Sequence, residues 1–344
     1  MERRAGTPWA RAIGVVVLIG IAVSALISGA EAQGSWSEVA PMPSAYDDLV
    51  AAVFGKSTGP NSLYVVGQVS GSRDKTETSV YESWRKKWDE AAPMPSERVW
   101  YAGGVVSSGR LYVVGGADIH SLKNTKTVDV YDPDTNKWAK AASMSHARSQ
   151  HAVVGTGNGR LYALGGGNAY DPGPVDTVEV YYESFNSWRA ANPMPTAREA
   201  HAAGIVESES AYEGKIYVVG GRGTEGQPLD TVEVYDPATE TWAAAAPMPT
   251  ARWGLAAGVV GGKLYAVGGA GTVGGVDNQP LDTVEVYDPD KDSWTALDPL
   301  PTARFGLAAG VIDGKLYAVG GTGTLGGVDL QPLDTVEVYD PSQE

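Results

Sequence analysis

The stretch ARWGLAAGVVGGKLYAVGGAGTVGGVDNQPLDTVEVYDP, residues 251–289, returns almost unchanged as ARFGLAAGVIDGKLYAVGGTGTLGGVDLQPLDTVEVYDP at residues 303–341. Self-similarity of this kind decides architecture before any local propensity does. Working outward, the apolar run that ends in a glycine pair recurs as LYVVGG at 111–116, LYALGG at 161–166 and IYVVGG at 216–221, with a degenerate LYVVGQ at 63–68. A tyrosine followed seven residues later by tryptophan recurs as Tyr81 and Trp88, Tyr131 and Trp138, Tyr181 and Trp188, Tyr235 and Trp242, and Tyr287 and Trp294. Each of these tryptophans, and Trp36 before them, stands seven residues ahead of the end of a turn resembling Pro-Met-Pro.

A unit of about 50 residues holds four short apolar runs broken by Gly, Pro and Asp, which reads as a four-stranded antiparallel meander. The runs are too short and too β-branched for helices. One such sheet cannot bury both faces, so neighbouring sheets must stack around an axis, with the Tyr and Trp rings filling the space between them. The Trp36 run opens without partners, and the chain stops after Val336-Glu-Val-Tyr-Asp-Pro without a tryptophan strand. Residues 35–42 are therefore expected to complete the last blade, closing an all-β propeller of six four-stranded blades over residues 33–344 and leaving no open edge. A truncated seventh blade is the rival reading.

The double glycine, the VEVYDP segment and the tryptophan before Pro-Met-Pro resemble the kelch repeat family, over residues 36–344. The resemblance implies an interaction scaffold. It also implies that arginines heading the inner strands line the channel mouth, where they meet acidic peptides or sugar acids.

The formal charge of −15 and a sequence pI of about 4.7 leave no broad cationic surface, so nucleic acid is excluded as a partner. Cysteine is absent, which removes disulfides, thiolate nucleophiles and thiolate metal sites, together with copper-radical oxidation that needs a Cys–Tyr crosslink. No cofactor and no metal is expected. Residues 1–32 follow the plan of a signal peptide: Arg3, Arg4 and Arg11, then the apolar run Ala12–Ile27, then the small residues Ala30 and Ala32. The protein is thus expected outside the cytoplasm, periplasmic or secreted, and touching a membrane only through residues 12–30 if the leader is not cleaved.

In a meander, the turns entering the inner strand and those after the double glycine share one face, and the latter vary most here. On that face one column reads Tyr46, Arg98, Arg148, Arg198, Arg252, Arg304. Two readings compete for it. In one, the arginines ring the mouth and bind an anion through bidentate hydrogen bonds, with Tyr46, Trp100 and Trp253 beside them; in the other, each arginine is held by a local carboxylate such as the Glu of VEVY. Trp253 and Phe305 either stack on a ligand or cover a blade interface. His151 and His201 are read as inner-strand residues rather than metal ligands, because no third ligand stands at a recognisable spacing. Asp277, Asp282, Asp329 and Asp334 are read as turn caps rather than calcium ligands.

The leading expectation is a monomeric exported module that binds a protein or an acidic small ligand at the mouth, with binding rather than catalysis as its task. The alternative resembles the exported kelch mutarotases of sugar acids such as sialate. There the arginines would clamp the carboxylate while Glu199 or His201 moves a proton. The near-identity of the last two units weighs against an enzyme, whose site needs different residues from each blade.

Overall fold

The computed structural model describes residues 34–57, 59–72, 75–106, 108–168, 173–206, 214–324 and 330–342. The expected leader over residues 1–32 lies outside the described residues, as does Asp329. Six four-stranded antiparallel sheets carry the fold, in chain order within each sheet except the last. Their inner strands are Tyr46–Gly55, Ala102–Val105, Ala152–Gly155, Ala202–Val206, Ala256–Val260 and Ala308–Ile312. The last sheet takes its outer strand from the N-terminal side, Ser35–Glu38, which pairs antiparallel with Val336–Asp340 and sets Trp36 opposite Tyr339. The same cross-strand pairing holds Tyr81 opposite Trp88 and Tyr131 opposite Trp138, so the borrowed strand reproduces the pattern of an ordinary blade.

The fixed seven-residue spacing has two structural causes. Inside a blade, tyrosine and tryptophan are directly opposed on adjacent strands, with ring centroids 5.0–5.3 Å apart. Between blades, each tryptophan Nε1 donates to a carbonyl just past the end of the outer strand of the preceding blade: Trp88 to Ala40, Trp138 to Ala92, Trp188 to Ala142, Trp242 to Asn192, Trp294 to Ala246 and Trp36 to Asp298. Each tyrosine of the third strand also meets a second-strand tyrosine of the preceding blade, as Tyr181 meets Tyr112 at 5.3 Å and Tyr81 meets Tyr317 at 6.1 Å. The second strands are the driest layer, with Leu63, Leu111, Leu161, Ile216, Leu264 and Leu316 all at 0 % exposure. Burial of these apolar side chains, rather than any crosslink, holds the blades together.

The glycine pair marks where blades approach most closely. At Gly115 and Gly116, φ is 61° and 93°, and a Cβ on Gly115 would sit 2.6 Å from the Arg148 carbonyl oxygen of the next blade. The Gly116 N–H donates to that same oxygen at 2.8 Å, and Gly166, Gly221 and Gly269 do likewise to Arg198, Arg252 and Arg304. A side chain at this point would break the contact between blades.

Candidate functional site

The arginine column leads inward, not to the mouth. Arg98, Arg148, Arg198, Arg252 and Arg304 are 0–3 % exposed, and each pairs with the carboxylate at the second position of its own blade's VEVY segment: Asp129, Glu179, Glu233, Glu285 and Glu337. Arg148 donates to Glu179 at 2.9 Å and to the Gly165 and Thr177 carbonyls at 2.9 and 2.8 Å. Arg304 makes the same set with Glu337, Gly320 and Thr335 at 2.6, 3.0 and 3.2 Å. Burial pulls each guanidinium's pKa down and the neighbouring carboxylate opposes it. For Glu179, burial works upward but the Ser145 and His146 N–H groups and Arg148 bring it below the usual carboxylate range.

The reading of an arginine-lined mouth is therefore corrected: these five charges are neutralised inside the blades and turn no donors to a ligand. Blade one supplies an internal control. Its column residue is Tyr46, 0 % exposed, and the carboxylate position is Ser79, whose Oγ lies 2.9 Å from the Tyr46 hydroxyl. Where the arginine is absent, its partner is absent too. Tyr46 thus also leaves the list of mouth residues.

The mouth itself is a cavity of about 250 Å³ bounded by Asp47, Asp48, Trp100, Tyr101, Gln150, His151, His201, Trp253 and Phe305, among others. It is framed by a collar of backbone hydrogen bonds running from blade to blade: Gln150 N–H to the Trp100 carbonyl at 2.9 Å, Ala200 to Gln150 at 2.8 Å, Gly254 to Ala200 at 2.7 Å and Gly306 to Gly254 at 2.7 Å. These collar residues have φ between 49° and 63°, a region that glycine occupies freely and Trp100, Gln150 and Ala200 only under constraint. In blade one the Asp48 carboxylate replaces the collar carbonyl and accepts the Trp100 N–H. Burial pushes the Asp48 pKa up to about 7, against the lowering effect of that hydrogen bond.

The two predicted aromatics behave differently. Trp100 contributes both its backbone to the collar and its ring to the cavity wall. Trp253 is half-buried, 5.4 Å from Phe305, and its Nε1 donates to Asn278 on the loop hairpin Ala270–Val273 and Val276–Pro280 at 3.1 Å. Over the same ring lies Arg222, with the guanidinium carbon 4.0 Å from the ring centroid. Sequence comparison had passed over Arg222, although a signal existed: the residue after the double glycine is Ala117, Gly167, Arg222, Ala270 and Thr322 in successive blades, and only one is charged.

Glu199 and His201, either of which was to move a proton in the alternative reading, are both buried. Glu199 is 8 % exposed and bridges to Arg222 through the backbone, and burial raises its pKa, with Arg222 opposing. His201 sits beneath the collar, where its Cε1 lies close to Gly165 of the preceding blade. His151 lies likewise against Gly115, and both positions are filled by leucine in Leu49, Leu255 and Leu307. Neither ring nitrogen of either histidine makes a hydrogen bond of normal geometry. Burial holds His201 down to about 3 and His151 well below its ordinary value, so both are neutral imidazoles at neutral pH. Asp277 accepts the Thr272 hydroxyl at 2.7 Å, a turn-capping contact.

Comparison with known proteins agrees with this architecture. The KLHDC2/KLHL20/DRC7 Kelch-repeats domain matches residues 150–344, and the Kelch motif matches residues 101–145. Kelch-like protein 25 of Xenopus tropicalis is 37% identical over 133 residues, covering 38% of this chain and 22% of that protein. Beta-scruin of Limulus polyphemus is 38% identical over 133 residues, covering 38% of this chain and 14% of its own length. These matched stretches span about a fifth or less of the curated relatives' length. Among solved structures, that of YjhT superposes with a TM-score of 0.70 at 19% identity, covering 88% of this chain and 99% of the other, which shows a shared fold.

Proposed function

Because the chain belongs to the kelch-repeat family, we propose that it is a recognition module, exported by its N-terminal segment, that holds a protein partner across the mouth of the propeller. The observation that carries this reading is the shelf formed by Arg222, Trp253 and Phe305 over three successive blades, on the cavity that Asp47 and Asp48 also line. A uniform scaffold gives this face no reason to differ between blades, yet it is where they differ most. The partner's acidic group meets Arg222, the partly exposed cation stacked on Trp253, and an apolar side chain lies on Trp253 and Phe305. Fold alone does not assign function; these residues distinguish this face from a bare scaffold. The sugar-acid isomerase reading is not favoured by any observation at the mouth, since the clamp it required is occupied.

The test is selection of linear peptides from a random library on the immobilised full chain, followed by affinity measurement on an Arg222→Ala/Trp253→Ala variant. Selected peptides are expected to be acidic and aromatic-compatible and to lose about tenfold or more in affinity on that variant, the loss of one cation and one stacking surface. Unchanged affinity would remove the mouth as the site.

A further inference from the structure

On the face opposite the mouth, the junction between the first and last blades lacks a pair of hydrogen bonds that three of its equivalents make. In every blade with a complete turn between third and fourth strands, the residue five after the tyrosine has positive φ: Lys86, Asn136, Asn186, Glu240 and Asp292, at 44° to 55°. In blades two, three and five its Oδ1 accepts two hydrogen bonds. One comes from the tyrosine hydroxyl of the same blade, Tyr131, Tyr181 or Tyr287, at 2.8, 2.9 and 2.6 Å. The other comes from a backbone N–H of the preceding blade, Ala92, Ala142 or Ala246, at 2.8 Å in each case.

At the seam the residue is Lys86, which has no acceptor to offer. The corresponding donors, the Tyr81 hydroxyl and the Ala40 N–H, make no hydrogen bond among the described residues, and burial alone raises the Tyr81 pKa. Trp88 Nε1 still donates to the Ala40 carbonyl at 2.8 Å, so the blades remain in register. A cleft of about 560 Å³ opens there, walled by Ala40, Tyr81, Trp84, Lys86, Lys315 and Tyr317. Trp84 is 62% exposed, with Arg85 stacked 5.6 Å from its ring, and stands where blades two and five carry Asp134 and Asp290. Asparagine or aspartate fills the left-handed position in blades two, three and five, where Lys86 stands here; Glu240 in blade four also lacks the clamp, but only the first blade adds an exposed tryptophan beside it.

We propose that this cleft binds a monocarboxylate with a flat apolar body. The missing group is one oxygen that accepts from both Tyr81 and Ala40, and Asp292 demonstrates that a carboxylate fills this place in blade five. Lys86 supplies the counter-charge, Trp84 the surface for the body, and Glu38 and Asp313 in the same cleft disfavour a second negative charge. The site faces away from the mouth, so its fate is independent of the protein-recognition reading.

Titration of the full chain with benzoate, benzamide and the tripeptide Gly-Gly-Phe, with free or amidated carboxyl, tests this by tryptophan fluorescence. Benzoate is expected to bind saturably and about tenfold more tightly than benzamide, the difference made by one charge-assisted contact. Lys86→Asn is expected to close the clamp with its own side chain, abolish benzoate binding and raise the melting temperature. Trp84→Ala is expected to weaken benzoate severalfold while leaving the fold intact, and it decides the matter if Lys86→Asn fails to fold. Tighter binding of the free-carboxyl peptide than of benzoate assigns the site to chain ends, and weaker binding assigns it to free acids. Absence of saturable binding by both, or equal benzoate binding by wild type and both variants, overturns the proposal.

Discussion

Two columns stand side by side at the head of the inner strands and behave oppositely. In the first, Arg98, Arg148, Arg198, Arg252 and Arg304 repeat and disappear into the blades. In the second, one residue later, Val99, Ser149, Glu199, Trp253 and Phe305 follow no rule: Ser149 and Glu199 are buried, while Val99, Trp253 and Phe305 stay partly exposed. A feature that every blade repeats meets a need that every blade has, here the tie between the inner strand, the double glycine and the third strand. What a single blade changes is free to serve recognition.

The largest expected effect breaks the first column. Arg304→Ala leaves Glu337 buried without its partner and is expected to cost about 3–5 kcal/mol, read as a lower urea midpoint. A change below about 0.5 kcal/mol would mean the pair is not a structural tie.

The histidines sharpen the comparison through pH. With His201 held to about 3 in the fold and near its ordinary value when unfolded, protonation favours the unfolded chain, so stability is full above about 6.5 and falls as pH drops toward 3. His201 alone accounts for about 2 kcal/mol near pH 5. Asp48 works the other way. Its folded pKa of about 7 means that it holds a proton that the unfolded chain releases, so its contribution is complete below about 4 and is lost as pH rises through 7. The His151→Leu/His201→Leu variant, which copies Leu255 and Leu307, is expected to resist acid better than wild type in melting curves from pH 7 to 4. An unchanged acid slope would contradict the buried, neutral assignment.

A smaller effect belongs to the control in blade one. Tyr46→Phe removes the hydroxyl that meets Ser79 at 2.9 Å and donates to Glu77 at 3.4 Å, and is expected to cost about 1 kcal/mol, well short of the arginine variants, in the same urea assay. A loss as large as theirs would show that the tyrosine carries the same tie as an arginine.

The blade count and closure were legible because the Tyr and Trp spacing is enforced by contacts local to one hairpin and its neighbour, and Trp36 kept the donor that every blade needs. The letters left the arginine column open between two readings, and the one in which a local carboxylate such as the Glu of VEVY holds each arginine is the one realised; spacing could not decide it because each partner lies 31–35 residues away, across the sheet. One clue was present in the letters alone: Tyr46 and Ser79 depart from Arg and Glu in the same blade. Arg222 and Asn278 escaped notice because they reach Trp253 from the variable loops, whose course no repeat predicts.

The most direct test of the claim that the ring is structure is a double-mutant cycle at Arg148 and Glu179, followed by urea denaturation of Arg148→Met, Glu179→Gln and the pair. The account predicts that each single change costs several times the thermal energy and that the double change costs clearly less than their sum, because the second removes the orphaned partner of the first. Additive losses, or single variants as stable as wild type, would contradict it and return the arginines to the mouth.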